Sequence, residues 1–171
     1  MAVGMQKKVL SEIGLYYGDV SMPKGFEIDR KKLHEDILQL QINNKEFPYS
    51  REWDKLNTYL RDHINVKYNF HLINKTGWGN VYKPKENSMP FLSIDPVDLK
   101  NSPDYTLLYG ANVKDCIVKI FYDDNRRKGR SRNMPLKNNQ FIMFPSMQMY
   151  CIANHQEDSL NSILTIAYEY I

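Results

Sequence analysis

The sequence has little cysteine and no long hydrophobic run. Cys116 and Cys151, its two cysteines, each lie inside an apolar run, and neither belongs to a Cys/His spacing, so structural zinc is not expected. No window approaches the roughly 18 apolar residues of a membrane span. The N-terminus also lacks the apolar stretch of a signal peptide. These absences favour a protein of the reducing cytoplasm.

The sequence motifs of several enzyme classes are missing as well. The chain has no Gly-rich phosphate loop and no Gly-x-Ser-x-Gly frame around a serine nucleophile. Neither cysteine has a nearby His and polar residue arranged to activate it. The sequence therefore gives no support for a P-loop nucleotide site or for serine or thiol hydrolysis.

The excess of positive over negative charge is also small: the formal net charge is +3, which does not demand a polyanionic partner. A hydrophobic fraction of 42% and a charged fraction of 25% are ordinary for a folded protein, and 171 residues fit one domain. Aromatic residues are abundant (Tyr 12, Phe 7, Trp 2), which favours β-structure.

Two helices are predicted in the first part of the chain. Asp29 is a good N-cap, and Ile28 and Leu33 occupy the two positions of a hydrophobic staple. This helix ends near Asn43, and a second helix begins at Ser50 after a proline. The apolar stripes are Leu33, Ile37 and Leu40 in the first helix, and Trp53, Leu56, Leu60 and Ile64 in the second.

The rest of the chain alternates short apolar runs with turn residues, which predicts strands of a sandwich or barrel. A further strand is predicted at 9–17, and turns are predicted at 75–77 and 110–112. We therefore expect one α+β, mostly β domain (1–171), with a helical N-terminal part (1–66) and a β core (67–171). The predicted core strands are 69–74, 78–83, 90–94, 104–109, 116–122, 140–144, 148–152 and 162–170.

Three segments of the β core carry the landmarks of a known family. They are residues 78–82 (WGNVY), 139–146 (NQFIMFPS) and 164–168 (LTIAY). In this order, over roughly residues 70–170, they resemble the 2-oxoglutarate/iron(II)-dependent oxygenases, and especially the small phage-type branch of that superfamily. The resemblance implies a double-stranded β-helix, which is a jelly-roll-like fold, with the two N-terminal helices packed on it.

The resemblance also implies where the functional groups of the family should fall. Two imidazoles and one carboxylate hold ferrous iron in such sites, and an arginine binds the co-substrate carboxylate. The first His and the carboxylate correspond to Ser93 and Asp95, the second His to Tyr150, and the Arg to Ile163. Only Asp95 keeps the required chemistry and is a weak candidate metal ligand. By this alignment the pocket is lined by Asn80, Tyr82, Ser93, Asp95, Tyr150 and Ile163.

These departures predict a family member that is degenerate at the iron and co-substrate positions. We expect a pseudoenzyme: a non-catalytic phage binding or structural/assembly module, in the host-cell cytoplasm or the virion. It would use a protein partner or self-assembly (an oligomer), without membrane contact, catalytic residues or a cofactor. The alternative is an active 2-oxoglutarate-dependent dioxygenase, a hydroxylase, that uses iron and 2-oxoglutarate with non-standard ligands such as Asp95, Tyr150 and His155.

Residues 123–132 form the sharpest charge feature, in which two acids lead into five cations. Two interpretations stay open: an interaction surface for phosphate groups, nucleic acid or an acidic protein, and a solvated hairpin tip whose cations pair with the two acids. A phosphate or nucleic-acid binder is accordingly a second alternative function, although no interleaved aromatics suggest base stacking. The cations are Arg126, Arg127, Lys128, Arg130 and Arg132.

The histidine clusters are weaker candidates. His34 and Asp36 lie in the first predicted helix, where residues two apart point about 200° apart and cannot chelate one ion. We interpret that segment as a solvated helix face. Residues 155–158 (HQED) are interpreted as a charged loop tip.

Overall fold

The computed structural model describes residues 4–9, 13–43, 50–122 and 129–171, and the side chains of residues 40–43 lie outside this description. The described chain contains eight strands, two α-helices and one short 3₁₀ helix at Leu99–Asn101. The elements in chain order are β1 (Tyr16–Asp19), α1 (Arg30–Asn43), α2 (Arg51–Tyr68), β2 (Leu72–Tyr82), β3 (Tyr105–Asn112), β4 (Cys116–Tyr122), β5 (Arg130–Leu136), β6 (Gln140–Pro145), β7 (Tyr150–Asn154) and β8 (Asn161–Tyr170).

The strands form two antiparallel sheets. The larger sheet has five strands in the order β1-β6-β3-β8-β2, and the smaller has three in the order β5-β4-β7. After β3 the chain crosses to the smaller sheet for β4 and β5, returns for β6, crosses again for β7 and returns for β8. This mostly β architecture, with two helices, is the double-stranded β-helix that the family resemblance implied.

The larger sheet is covered on both faces, because alternate residues of a strand point to opposite sides. In β3, Leu107 and Tyr109 belong to the core that the sheet forms with the helices, whereas Leu108 belongs to the core between the two sheets. In β8, Leu164 and Ile163 divide in the same way. The five-stranded sheet is thus the wall shared by two hydrophobic cores.

The helices begin where the capping residues predict. The Asp29 carboxylate accepts a hydrogen bond from the Lys32 backbone N–H (3.1 Å), and Ser50 Oγ accepts one from that of Trp53 (3.3 Å). The predicted apolar faces are buried, apart from Leu40, whose side chain lies outside the described residues. None of the described helices is long and apolar enough to cross a membrane.

Two predicted turns are wrong, because the chain uses β-bulges at those places. Residues 69–74 and 78–83 do not form two strands; β2 runs through 75–77 with a shift of register between Asn74 and Thr76. Likewise β3 continues through 110–112, with a shift between Gly110 and Asn112. Turn-forming residues in a strand are typical of bulges, which keep the pairing and increase the local twist.

Three strand predictions also need correction. The predicted strand 90–94 is reduced to an isolated bridge between Phe91 and Tyr150. β5 was not predicted, because its sequence is polar, with only Met134 and Leu136 buried. The predicted strand 9–17 appears as the later and shorter β1, although residues 10–12 lie outside the described chain.

Candidate functional site

The candidate site lies between the two sheets, where the resemblance places the pocket of the fold. The inner faces meet in a packed, mainly aliphatic and aromatic cluster. Its members include Leu108, Val118, Ile120, Ile142, Phe144, Tyr150, Ile152 and Ile163, with Tyr82 packed against them. The interior therefore presents phenols and hydrocarbon, not an array of charged groups.

Ser93 and Tyr150 lie together at one end of this interior. Tyr150 is buried, and burial raises the pKa of its phenol, while the neighbouring Ser93 hydroxyl acts against that rise. Ser93 Oγ is itself buried, and no described residue meets both the distance and the angle of a hydrogen bond to it. Phe91 and Phe144 pack their rings against Tyr150 at centroid distances of 5.7 and 5.2 Å.

Asn80 and Tyr82 lie on β2, and Ile163 lies on β8, in the larger sheet. Asn80 is the cross-strand partner of Ile163, whose side chain is completely buried. Burial, followed by the proximity of Tyr150 and Cys116, raises the pKa of Tyr82. Burial also raises the pKa of Cys116 to about 12, so its thiol stays protonated and un-nucleophilic at neutral pH.

Asp95 does not join these residues in the interior. Its side chain is exposed, and its Oδ1 accepts a hydrogen bond from the Val97 backbone N–H (2.9 Å). Its backbone N–H donates to Ser102 Oγ (2.8 Å). The carboxylate therefore stabilises its own loop.

These residues do not fit ferrous iron or 2-oxoglutarate. At the positions that should hold imidazoles stand a serine hydroxyl and a buried, protonated phenol, and neither is a strong iron ligand. At the position of the guanidinium stands Ile163, which cannot pair with a carboxylate. In the described parts of the chain, no group of three or more His, Cys, Asp and Glu side chains is placed to hold a metal ion.

The non-standard ligand set of Asp95, Tyr150 and His155 is also unsuited to one ion. Tyr150 begins β7, and His155 follows the end of that strand. Five residues of extended chain separate the two positions by about 16 Å. Metal ligands lie about 2 Å from their ion, so two side chains so placed cannot share it.

The interpretation of His34 as part of a solvated helix face is wrong. Its Nδ1 lies 2.7 Å from Ser162 Oγ, and its Nε2 lies 3.4 Å from the Asn112 amide nitrogen. Burial lowers the pKa of this imidazole. His34 therefore connects α1 to the start of β8, a long-range contact that helical periodicity alone does not reveal.

Arg130 and Arg132 are exposed on β5, an edge strand of the smaller sheet. Residues 126–128 lie outside the described chain. Arg132 is the cross-strand partner of Ile120, whose other partner is Tyr150. Because cross-strand partners project from the same face, Arg132 emerges on the inner side of the sheet, at the Tyr150 end of the barrel. Sequence reasoning missed this relation because β5 was not predicted.

Two concave regions lie elsewhere. A groove of about 800 Å³ runs along α2 beside Phe26, Tyr59 and Val66. A cavity of about 210 Å³ lies beside Lys119 and Cys151 in the smaller sheet. Neither is lined by a residue of the predicted pocket.

Comparison with known proteins supports the fold. No protein-family model and no curated protein matches the sequence. A prolyl-4-hydroxylase of Pseudomonas putida has a TM-score of 0.65 at 12% identity, over 92% of this chain and 88% of that chain. The viral collagen prolyl hydroxylase of Paramecium Bursaria Chlorella virus-1, in its 2OG complex, has a TM-score of 0.60 at 13% identity, over 91% and 96%.

A third solved structure extends the same relationship. A prolyl hydroxylase of Trichoplax adhaerens, in complex with a hypoxia inducible factor peptide fragment, has a TM-score of 0.59 at 10% identity, over 91% of this chain and 83% of that one. The resemblance to the 2-oxoglutarate/iron(II) oxygenases is thus confirmed at the level of the fold.

Proposed function

We propose that this chain is a non-catalytic double-stranded β-helix protein that acts by binding or assembly. It has the fold of the 2-oxoglutarate/iron(II) oxygenases, and its function is a surface function of that scaffold. No cofactor takes part. A phage-encoded binding or structural role is part of the proposal, because the landmarks at 78–82 and 139–146 resemble the phage-type branch.

One observation carries this proposal: the contact between Ser93 and Tyr150 inside the barrel. The two positions that should supply imidazoles to a shared ion are brought together, as an iron site would require. They hold a hydroxyl and a buried phenol. The geometry of the scaffold is retained while the donor chemistry is absent.

Metal analysis tests the proposal. The chain is produced with iron in the medium, incubated anaerobically with ferrous ion and 2-oxoglutarate, desalted, and analysed for iron by mass spectrometry. We expect iron far below one ion per chain. The Pseudomonas putida prolyl-4-hydroxylase, prepared in parallel, serves as the control for loading.

Stoichiometric iron would overturn the proposal in favour of a dioxygenase. In that case Asp95→Ala should abolish both the bound iron and the release of succinate. Iron that persists in this variant would show that other residues hold it.

A further inference from the structure

His34 lies where α1 packs across β3 and β8 of the larger sheet. Its Nδ1 lies 2.7 Å from the Oγ of Ser162, which is completely buried, and its Nε2 lies 3.4 Å from the Asn112 amide nitrogen. One turn earlier on α1, Arg30 Nη1 donates to the Ala111 carbonyl (3.4 Å). Residues four apart on a helix share a face. One face of α1 is therefore attached to two neighbouring strands by polar side chains.

A β-bulge in β3 places Asn112 on this face. Gly110 pairs with Ile163 and Asn112 pairs with Ser162, with a shift of register between the two pairs. Because residues two apart in a regular strand point to the same side, Asn112 would otherwise share the side of Gly110. Cross-strand partners project from one face, so the bulge turns Asn112 to the α1 side with Ser162.

The partners of the His34 ring assign its protonation state. The Asn112 amide nitrogen can only donate a hydrogen bond, so Nε2 has to be the acceptor. A neutral imidazole carries one N–H, which is then on Nδ1 and donates to Ser162 Oγ. A protonated ring would also carry an N–H on Nε2, directed at the Asn112 donor. The observed contact therefore requires a neutral imidazole.

The charges around the ring do not stabilise its protonated form. Burial lowers the pKa of His34 and outweighs the neighbouring Glu35 carboxylate, which acts in the opposite direction. Arg30 and Lys31, one turn earlier on α1, are cations. The strands place uncharged residues at this point, which are Asn112 on β3, Ser162 on β8 and Val81 on β2. The cations just beyond the ends of β2 and β3 are Lys83 and Lys114.

We propose that His34, with Ser162 and Asn112, forms an acid-sensitive latch that holds α1 on the larger sheet when its ring is neutral and releases it on protonation. Release would expose Leu33 and Ile37, which α1 buries against the sheet. No residue of the latch belongs to the pocket between the sheets. The latch thus goes beyond the proposed function, and it can fail without changing the outcome of the iron analysis.

The direction of the pH effect follows from the two states of the ring. When α1 is released, the hydrated imidazole titrates near its ordinary pKa of 6.5, whereas in the closed form its pKa is lower. Between these two values the open form binds more protons than the closed form. Opening of α1 should therefore become more frequent as the pH falls below about 6.5, by up to about tenfold per pH unit.

Nuclear magnetic resonance and hydrogen exchange test the latch in the wild type. The imidazole ¹⁵N shifts of His34 should show the proton on Nδ1 near neutral pH and a titration midpoint below the ordinary value. Amide exchange, corrected for the intrinsic effect of pH, is compared at pH about 5.5 and about 7.5. The amides of α1 should open more often at the lower pH, and those of α2 should change much less.

Two variants separate the latch from general acid sensitivity. Asn112→Asp replaces the donor with a carboxylate that can accept from the protonated ring, so it should raise the His34 pKa above 6.5 and reverse the pH dependence of α1 opening. His34→Gln removes the titrating group and should make opening of α1 independent of pH in this window. His63→Gln, an exposed histidine of α2, is the matched control and should behave like the wild type.

Several results would overturn the latch: a His34 midpoint at or above 6.5, a proton on Nε2, a pH dependence that persists in His34→Gln, or an unchanged midpoint in Asn112→Asp. Equal acceleration of exchange in α1 and α2 would also overturn it, because the whole chain would then be opening.

Discussion

Ile163 shows how one side chain separates this barrel from one that accepts a charged co-substrate. It lies on the inner face of β8, completely buried and packed in the cluster between the sheets. The resemblance predicted the position from the sequence, and its chemistry followed at once from its identity. What the sequence alone did not show is that hydrocarbon surrounds Ile163.

Ile163→Arg therefore tests whether a co-substrate cavity remains. A guanidinium forced into this cluster is an uncompensated buried charge, and we expect a loss of about 3–5 kcal/mol in the free energy of unfolding. Ile163→Val is the matched control and should cost only about 1 kcal/mol. Urea unfolding followed by circular dichroism gives both values.

A cost of Ile163→Arg close to that of the valine control would mean that water or space reaches the position. The barrel would then be hollow, contrary to the packed interior described above.

Asp95 illustrates the limit of alignment at the residue scale. Its place in the sequence, two residues after Ser93, suggested a ligand, but whether a carboxylate faces inward depends on the local backbone. Here the segment bends out of the sheet after Phe91, and Asp95 turns to its own loop. A short strand that ends early cannot be recognised from its composition.

At the scale of elements, the contact between α1 and β2 depends on a glycine. A Cβ added at Gly79 would lie 2.8 Å from Ile37 Cγ1 and 2.9 Å from Ile37 Cγ2. Ile37 is buried and β-branched, so its side chain has little freedom to move away. The glycine therefore sets how closely the helix approaches the sheet.

We expect Gly79→Ala to lower the free energy of unfolding by about 1–3 kcal/mol through overpacking. The double variant Gly79→Ala/Ile37→Ala should lose less than the sum of the two single losses, because the alanine at 37 removes the atoms that clash. Thermal and urea unfolding measure the coupling. Gly18→Ala, where the nearest atom would be 3.6 Å away, is the control and should change little.

Strict additivity of the two substitutions would show that α1 does not rest on Gly79. The helix would then have to approach the sheet differently from the arrangement described above.

The sequence predicted most elements, and its failures share a physical cause. Capping residues and apolar stripes located both helices because these signals are local. The bulges in β2 and β3 and the polar strand β5 were missed because pairing with a neighbouring strand, not local preference, holds them in place. The relation between Arg132 and Tyr150 was missed for the same reason.

At the scale of the whole molecule, a buried thiol and several buried phenols make the free energy of unfolding depend on pH. Burial raises the pKa of Cys116 from its ordinary 9.0 to about 12, and it also raises the pKa of Tyr82, Tyr109 and Tyr150. The unfolded chain releases these protons near their ordinary pKa, whereas the folded chain keeps them. Between pH about 9 and about 12 the unfolded state therefore binds fewer protons.

The free energy of unfolding should accordingly be at its full value below pH about 9 and fall as the pH rises through this window. Each fully shifted group contributes up to about 1.4 kcal/mol per pH unit. Urea midpoints at neutral and at alkaline pH measure the fall, and absorbance near 295 nm should show buried phenols ionising only as the chain unfolds. Cys116→Ala should make the fall shallower. Constant stability across the window would mean that these groups are hydrated.

The five-stranded sheet contributes side chains to both hydrophobic cores, and this restricts the insertions and deletions that the chain can accept. Neighbouring residues of β3, such as Leu107 and Leu108, serve opposite layers of the molecule. Deleting one residue from this strand would exchange the two sets of side chains along the rest of its length. Insertions and deletions should therefore accumulate in the connections, and variation within β3 should occur by point substitution at constant length.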